Sequence, residues 1–367
     1  MRDLVRRVGQ RFMVGFEGHT ASADVKALVR EFGVGHVVLF GRNVAAPEQV
    51  AELVRELQST ARGAGHELPL LVAVDQEGGR VARLREPWTL WPPARAVGRT
   101  GSEETAREMG EALAEELSAC GIRYDFAPCL DVDTNPRNPV IGDRSFGEDP
   151  ALVARLGTAL AEGLQRGGVA ACAKHFPGHG DTELDSHFDL PAVDHSRSRL
   201  DEVELVPFRA AIAKGVASVM TSHILVRELD DERPATLSRR VIGELLREEL
   251  GYEGVVVTDD LEMQALAKRW RPAPIAVLAA QAGCDLIAFC KSHDAQVEGI
   301  EAVVRACESG EIGFKAAEAA EGRVRALKQR FLAGYVDPDP KRARSSAENA
   351  AHRALAETIA VRAGIPA

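Results

Sequence analysis

The chain has 367 residues, of which 45% are hydrophobic and 27% charged, with a formal net charge of −10 and a pI near 5.6. This composition is typical of a globular protein, and the acidic balance disfavours nucleic acid or an anionic membrane surface as the main partner. The sequence contains no run of about 18 apolar residues, so no membrane span is predicted. The N-terminus lacks the apolar core of a secretory signal.

Eight short apolar runs recur along the chain, with helical patterns between them. The runs LLVAVD and GVVVTDD are apolar at successive positions, as in parallel strands that are buried on both faces. The predicted strands are Arg11–Phe16, His36–Phe40, Leu70–Asp75, Tyr124–Pro128, Val169–His175, Ser218–His223, Gly254–Asp259 and Asp285–Cys290.

The segments between these runs carry helix start and stop signals, such as an Asp-Pro opening and a closing glycine. The predicted helices are Pro47–Gly65, Ser102–Gly121, Asp149–Gly167, Leu200–Gly215, Ser238–Gly251, Pro274–Gly283 and Asp294–Gly310. Strand–helix alternation repeated eight times predicts an α/β fold that closes into a single (β/α)8 TIM-type barrel. A doubly wound open sheet is the competing interpretation, but it predicts a glycine-rich phosphate turn after the first strand, where this chain has Phe16-Glu17-Gly18-His19.

The barrel is predicted over residues 1–335. Residues 336–367 are predicted to form a polar linker and a C-terminal helix, Ala347–Gly364, with no second domain.

Polar side chains stand at the ends of several predicted strands, where the catalytic residues of such barrels lie. Asp259 follows a buried strand, so its carboxylate can be rigidly aimed, as a nucleophile that attacks an anomeric carbon must be. The alternative is a helix N-cap, a role that Asp260 fits as well as Asp259 does.

The densest polar stretch, KHFPGHGDTELDSH, follows the fifth strand. In an extended loop the side chains of Asp185 and His187 point the same way, so the carboxylate can orient an imidazole that gives and takes a proton. A metal site made by His175, His179 and His187 is an alternative, although the Pro-Gly pair in this loop excludes the helical face that metalloproteases use. Purely structural histidines are a third possibility.

Two further segments offer partners for sugar hydroxyls. Asp75, in DQEGGRVAR after the third strand, can accept hydrogen bonds from vicinal hydroxyls, and Arg80 or Arg83 can donate to them. Arg144, in the loop GDRSFGEDP, is another candidate donor. A buried ion pair and a structural arginine are the respective alternatives.

Four segments, DQEGGRVAR, GDRSFGEDP, KHFPGHGDTELDSHFDLP and VVVTDDLEM, closely resemble the bacterial β-N-acetylglucosaminidases of glycoside hydrolase family 3. The resemblance covers roughly residues 8–335. It implies a retaining hydrolase that removes terminal non-reducing β-linked N-acetylglucosamine through a covalent glycosyl-Asp intermediate. It implies these roles: Asp259 as nucleophile, His187 as acid/base, Asp185 as its polarising partner, and Asp75, Arg83, Arg144, Lys174 and His175 as sugar-binding residues.

The resemblance also implies no cofactor and no metal, and a substrate among the anhydro-muropeptides of cell-wall recycling. Six cysteines without a CxxC pair, mostly in apolar stretches, favour reduced thiols and a cytoplasmic protein. A monomer is expected, with a small sugar or muropeptide as its partner. Three alternatives remain: a phosphorylase that uses phosphate on the same intermediate, a metal-dependent barrel hydrolase, and a catalytically silent sugar-binding sensor.

Overall fold

The computed structural model describes residues 2–186 and 188–365. Eight parallel strands lie side by side in the order β7-β6-β5-β4-β3-β2-β1-β8. Their bounds are β1 Phe12–Val14, β2 His36–Leu39, β3 Leu71–Val74, β4 Tyr124–Asp125, β5 Ala170–Phe176, β6 Ser218–Thr221, β7 Val255–Thr258 and β8 Ile287–Phe289.

The two outer strands of this order meet, so the sheet closes into a barrel. A bridge joins Val257 of β7 to Leu286, directly before β8. The N–H of Thr258 donates to the Leu286 carbonyl at 3.0 Å. The predicted TIM-type barrel is therefore confirmed, and the open doubly wound sheet is wrong.

Each predicted apolar run contains one barrel strand, because both faces of every strand are buried. Along β2, Val37 packs in the outer layer between strands and helices, whereas Val38 packs inside the barrel with Met13 and Leu71. Continuous apolar sequence is what this two-sided burial requires.

All seven predicted helices are present, and three helical segments before residue 101 were not predicted. Asp149 caps one predicted helix, its Oδ1 accepting from the N–H of Ala151 at 3.0 Å. The helices around the barrel are Arg2–Gly9, Ala23–Ala27 with its continuation Leu28–Phe32, Pro47–Gly63, Ala94–Thr100, Glu103–Ala119, Pro150–Arg166, Leu205–Ala213, Arg240–Glu249, Pro272–Ala282 and His293–Ser309.

A further helix that was not predicted, Phe314–Leu332, closes one end of the barrel and is called the floor helix below. Its buried side chains Val324, Leu327 and Phe331 belong to the same apolar cluster as the residues inside the barrel. Its polar side chains bond to residues that precede strands, including Gln10 before β1 and Asp285 before β8. The floor helix therefore seals the N-terminal end, and the opposite end forms the open mouth.

The C-terminal segment consists of two helices, Pro340–Ala347 and Ala350–Arg362. The second confirms the predicted C-terminal helix, but the predicted polar linker is helical from Pro340 onward. Asp339 caps this helix, accepting from the N–H of Lys341 at 3.0 Å, and Ala343 is fully buried against the barrel helices. An Asp-Pro pair can thus open a helix as readily as it can mark a linker.

Two further expectations concern the membrane and the cysteines. Within residues 2–186 and 188–365, no helix is both long enough and apolar enough to cross a membrane. All six cysteines are free thiols, and only Cys307 is partly exposed.

Candidate active site

A cavity of about 390 Å³ opens at the mouth of the barrel. Seven of the eight predicted site residues line it: Asp75, Arg83, Arg144, Lys174, His175, Asp185 and Asp259. The eighth, His187, lies outside the described residues. Residues spread over about 185 positions of the chain thus meet in one cavity because parallel strands all end at the same face of the barrel.

Lys174, on β5, lies at the centre of a buried charge network on one wall of this cavity. Its Nζ is 2.9 Å from Asp75 Oδ1 and 2.6 Å from Glu77 Oε1. Glu77 in turn accepts two hydrogen bonds from Arg144, at 2.8 and 2.9 Å, and Arg83 donates to the other oxygen of Asp75 at 3.2 Å. Every charge in this network therefore has a partner.

The network keeps its groups ionised although they are buried. Burial alone would raise the pKa of the Asp75 and Glu77 carboxyls, but the charges of Lys174 and of the neighbouring arginines outweigh it and hold both pKa values below their usual range. Burial would likewise lower the pKa of Lys174, yet the two carboxylates raise it. The wall therefore presents fixed cationic donors and an anionic acceptor to a ligand.

Glu77 was not predicted as a site residue, and neither was Asp131, which holds His175. Asp131 is fully buried, and its Oδ2 lies 2.7 Å from His175 Nδ1. It also accepts from the backbone N–H groups of His175 and His179. Burial works against its charge, but these partners lower the pKa of Asp131 to about 2. His175 Nε2, 3.3 Å from Arg144, is thereby aimed at the charge network.

Asp259 and Asp260, which the sequence could not tell apart, have different surroundings. Asp260 Oδ1 accepts from the backbone N–H groups of Glu262 at 3.1 Å and Cys290 at 3.2 Å, so Asp260 joins the turn after β7 to the end of β8. The helix Gln264–Ala267 has Met263 as its N-cap, so the alternative of a helix N-cap is wrong for both aspartates. Burial and the nearby carboxylates of Glu262 and Asp259 raise the pKa of Asp260 to about 7.

Asp259 faces the cavity, and its Oδ1 accepts only one hydrogen bond within the described residues, from the N–H of Asp260 at 2.8 Å. Burial opposes its charge, but the electrostatic effects of His223 and His175, together with the N–H of Asp260, outweigh burial and lower the pKa of Asp259. Asp259 is therefore an ionised carboxylate aimed into the mouth, as a nucleophile requires.

The loop that carries Asp185 is held in place from both sides of residue 187. The Ser186 carbonyl accepts from the N–H of Ala265 at 3.2 Å, and the Phe188 carbonyl accepts from Lys268 Nζ at 2.5 Å. Ala265 and Lys268 belong to the segment that directly follows Asp259. The predicted acid/base loop and the predicted nucleophile are thus physically joined.

The ring nitrogens of His175 and His179 are already engaged, which weakens the metal alternative. His179 Nδ1 is 2.7 Å from Thr182 Oγ1 and its Nε2 is 3.2 Å from Ser186 Oγ. Burial lowers the pKa of His179 to about 4, so this ring is neutral and braces the loop. Cys129, Asp131 and His175 also lie close enough to share an ion, but the hydrogen bonds of Asp131 described above already account for that cluster.

Arg80, the other arginine considered as a sugar donor, instead joins two loops. It pairs with Asp143 at 3.0 Å and donates to the Val140 carbonyl. It ties DQEGGRVAR to the loop that carries Arg144, and Arg83 is the arginine that reaches Asp75.

Comparison with known proteins identifies the family of this chain. The model of the glycosyl hydrolase family 3 N terminal domain matches residues 4–327. The chain belongs to glycosyl hydrolase family 3. The family expected from the four motifs, and with it a glycosidase, is therefore confirmed.

Curated relatives of this family 3 chain carry a common name. A protein of Alkalilimnicola ehrlichii named beta-hexosaminidase is 40% identical over 289 residues, covering 77% of this chain and 81% of the relative. Beta-hexosaminidase A of Pseudoalteromonas piscicida is 38% identical over 311 residues, covering 76% of this chain. The match spans only 52% of that relative, about half of its length.

A solved structure agrees with the barrel over nearly the whole family 3 chain. The family 3 β-N-acetylglucosaminidase of a Paenibacillus species has a TM-score of 0.93 and 46% sequence identity. The match covers 98% of this chain and 68% of that protein.

Proposed function

We propose that this family 3 chain is a retaining β-N-acetylhexosaminidase that releases terminal non-reducing β-linked N-acetylglucosamine, with Asp259 as the nucleophile and the Asp185–His187 pair as the acid/base. The observation that carries the proposal is the contrast between Asp259 and Asp260. Both carboxyls line the cavity, but the pKa is lowered at Asp259 and raised at Asp260. The names of the relatives support the choice of sugar.

In the first step, an oxygen of Asp259 bonds to the anomeric carbon while the glycosidic oxygen leaves with a proton from His187. In the second step, His187 takes a proton from water, the water oxygen bonds to the anomeric carbon, and Asp259 leaves as a carboxylate. Asp185 stabilises the imidazolium that donates the proton in the first step and forms again in the second. A histidine acid/base avoids placing a second carboxylate beside the nucleophile.

The charge network on the opposite wall is suited to hold the sugar ring. Asp75 can accept hydrogen bonds from hydroxyl groups, Arg83 and Lys174 can donate to them, and His175 lines the same cavity. Glu77 fixes Lys174 and Arg144, so these donors keep their positions before the sugar arrives. Such pre-positioned groups lower the barrier without reorganising during the reaction.

We further propose anhydro-muropeptides as the natural substrates, following the family resemblance. We also propose that residues 1–335 are the catalytic unit, without a second domain in residues 336–367, and that the described part of this tail, residues 336–365, braces the unit. Burial of Ala343 and Ile359 among the barrel helices supports the bracing role.

A covalent label tests the central assignment. A 5-fluoro-N-acetylglucosaminyl fluoride should accumulate as a glycosyl ester, and peptide mapping should place the ester on Asp259. Asp260 is the internal control, because it is the adjacent carboxyl in the same cavity but has a raised pKa and should not be labelled. A label on any other residue would refute the assignment. Turnover in phosphate buffer, with a search for sugar-1-phosphate, separates hydrolysis from phosphorolysis.

A further inference from the structure

His223 follows β6 and lies behind the proposed nucleophile, yet none of the roles above uses it. Its ring is 1% exposed. Its Nε2 lies 2.9 Å from the backbone carbonyl oxygen of Asp260, and its Nδ1 lies 2.8 Å from Thr236 Oγ1. The ring therefore connects the turn after β7 to the segment after β6.

The partners of the ring determine where its protons are. A carbonyl oxygen can only accept, so Nε2 carries a proton that it donates to Asp260. Thr236 Oγ1 lies 2.9 Å from the Ser222 carbonyl and 3.0 Å from Thr221 Oγ1, whose hydroxyl can donate to it. If Thr236 gives its one proton to Ser222, then Nδ1 must be a donor as well and the ring is an imidazolium. The surroundings of His223 thus accommodate a cation with every hydrogen bond satisfied.

Asp260, which His223 contacts, accepts four hydrogen bonds. Its carbonyl accepts from His223 and from the backbone N–H of Met263 at 3.1 Å, and its carboxyl oxygen accepts from the backbone N–H groups of Glu262 and Cys290. Its own N–H donates to Asp259 Oδ1 at 2.8 Å. Because the backbone at Asp260 is fixed, that N–H holds the Asp259 carboxylate in one orientation.

His223 also acts on Asp259 through charge. Burial raises the pKa of Asp259, and among the charges that lower it His223 has the largest effect, followed by His175. Lys174 contributes from β5, and the ionisable side chains of Asp260 and Cys290 are also coupled to this carboxyl.

We propose that His223 is a positioning residue for the nucleophile: through the Asp260 carbonyl it fixes the turn that aims Asp259, and as an imidazolium it stabilises Asp259 as a carboxylate. The inference rests on the proposed role of Asp259 as nucleophile. The fixed turn serves the first step, because the Asp259 carboxylate must approach the anomeric carbon from one direction. The electrostatic part serves the second step, in which Asp259 departs as an anion.

Two variants separate these contributions. His223→Gln keeps an N–H donor that can reach the Asp260 carbonyl but removes the charge, whereas His223→Ala removes both. With an aryl N-acetylglucosaminide, we expect kcat to fall about 10-fold in His223→Gln and about 100-fold or more in His223→Ala, the range for loss of one pre-positioned electrostatic group. Both variants should bind N-acetylglucosamine with the affinity of the parent protein.

The pH profile is the measurement that a purely structural role would not change. Loss of the positive charge raises the pKa of Asp259, so the acidic limb of kcat/KM should move to higher pH in both variants while the basic limb stays in place. A fall in kcat with an unchanged acidic limb would show that His223 serves folding alone and would overturn the proposal. If His223→Ala does not fold, the acidic limb of His223→Gln decides the question.

The closing control distinguishes this inference from the proposed function. If Asp259→Gly keeps its activity, or the fluoro sugar labels another residue, the proposed nucleophile is wrong. If Asp259→Gly is inactive and Asp259 carries the label, but both His223 variants keep the parent kcat and acidic limb, only the inference about His223 is wrong.

Discussion

Two equally buried lysines, one at each end of the barrel, have opposite electrostatic environments. At the mouth, Lys174 is paired with Asp75 and Glu77. At the floor, the equally buried Lys328 donates to the Gln10 side-chain oxygen at 2.8 Å, and no carboxylate of the described residues lies within ion-pair distance of it. The pKa of Lys174 is raised, whereas burial lowers that of Lys328 to about 7.

The difference between the two pKa values shows that a buried lysine keeps its charge only where carboxylates lie close to it. Desolvation acts on both lysines, and only opposite charges at close range can offset it. The mouth provides those charges because its groups must stay ionised to bind a ligand. The floor binds none of the proposed substrate, and its lysine loses its charge near neutral pH instead.

The largest effect is expected at the mouth, from removing the nucleophile. Asp259→Ala should lower kcat by at least about 10⁴-fold, the scale of losing a covalent catalytic group. Hydrolysis of an aryl N-acetylglucosaminide measures it, and added azide should restore part of the turnover by taking the place of the carboxylate. Asp260→Asn, which can still accept the hydrogen bonds from Glu262 and Cys290, is the matched control and should keep most of the activity.

The second prediction concerns the ion pairs that Glu77 forms at the mouth. Glu77→Gln leaves Arg144 and Lys174 with one carboxylate fewer, so the free energy of unfolding should fall by about 2–4 kcal/mol. Both cationic donors also lose their anchor, and kcat/KM should fall in parallel. Urea unfolding and steady-state kinetics measure the two effects. Asp143→Asn, at the half-exposed pair with Arg80, should cost no more than about 1 kcal/mol. If Glu77→Gln and Asp143→Asn lowered the free energy of unfolding by the same amount, the expectation that a buried ion pair contributes more than an exposed one would be wrong.

The third prediction concerns the floor, where removing the charge should stabilise the protein. Below pH 7, Lys328 is protonated in both the folded and the unfolded chain, so the wild type carries the full cost of the buried charge. As the pH rises from 7 towards 10, only the unfolded chain keeps the proton, and the stability of the wild type increases. Lys328→Met should therefore raise the free energy of unfolding by about 1–3 kcal/mol at pH 6, and less at pH 9.

Denaturant unfolding at the two pH values measures this difference. Lys341→Met, on an exposed position of the tail, is the matched control and should change stability by no more than about 0.5 kcal/mol. A variant of Lys328 that is less stable than the wild type at both pH values would show that the ammonium group is stabilised at the floor after all.

The smallest effect is expected from a chelator. Because the ring nitrogens of His175 and His179 are bonded to protein groups, EDTA should leave turnover unchanged. Activity assays before and after dialysis against EDTA check this. Loss of activity that added Zn²⁺ restores would favour the metal-dependent alternative.

The sequence alone determined the positions of the eight strands, because burial on both faces leaves an uninterrupted apolar run that loops and surface helices do not show. It also placed the candidate site, since polar residues directly after such runs stand at the mouth of a barrel. The same local signals missed the floor helix and took the start of the Pro340–Ala347 helix for a linker. The N-terminal end of the barrel holds the floor helix in place by contacts distant in sequence.

Only the tertiary structure decided which polar residues act together. Glu77 and Asp131 looked like ordinary acidic residues until the fold placed one between Arg144 and Lys174 and the other against His175. Asp259 and Asp260 are adjacent and chemically identical, so no pattern in the chain could separate them. Their pKa values differ because His223, which follows another strand, lowers that of Asp259, whereas burial and the Glu262 carboxylate raise that of Asp260. Sequence specifies which groups are present, whereas electrostatic environment depends on distances that only folding sets.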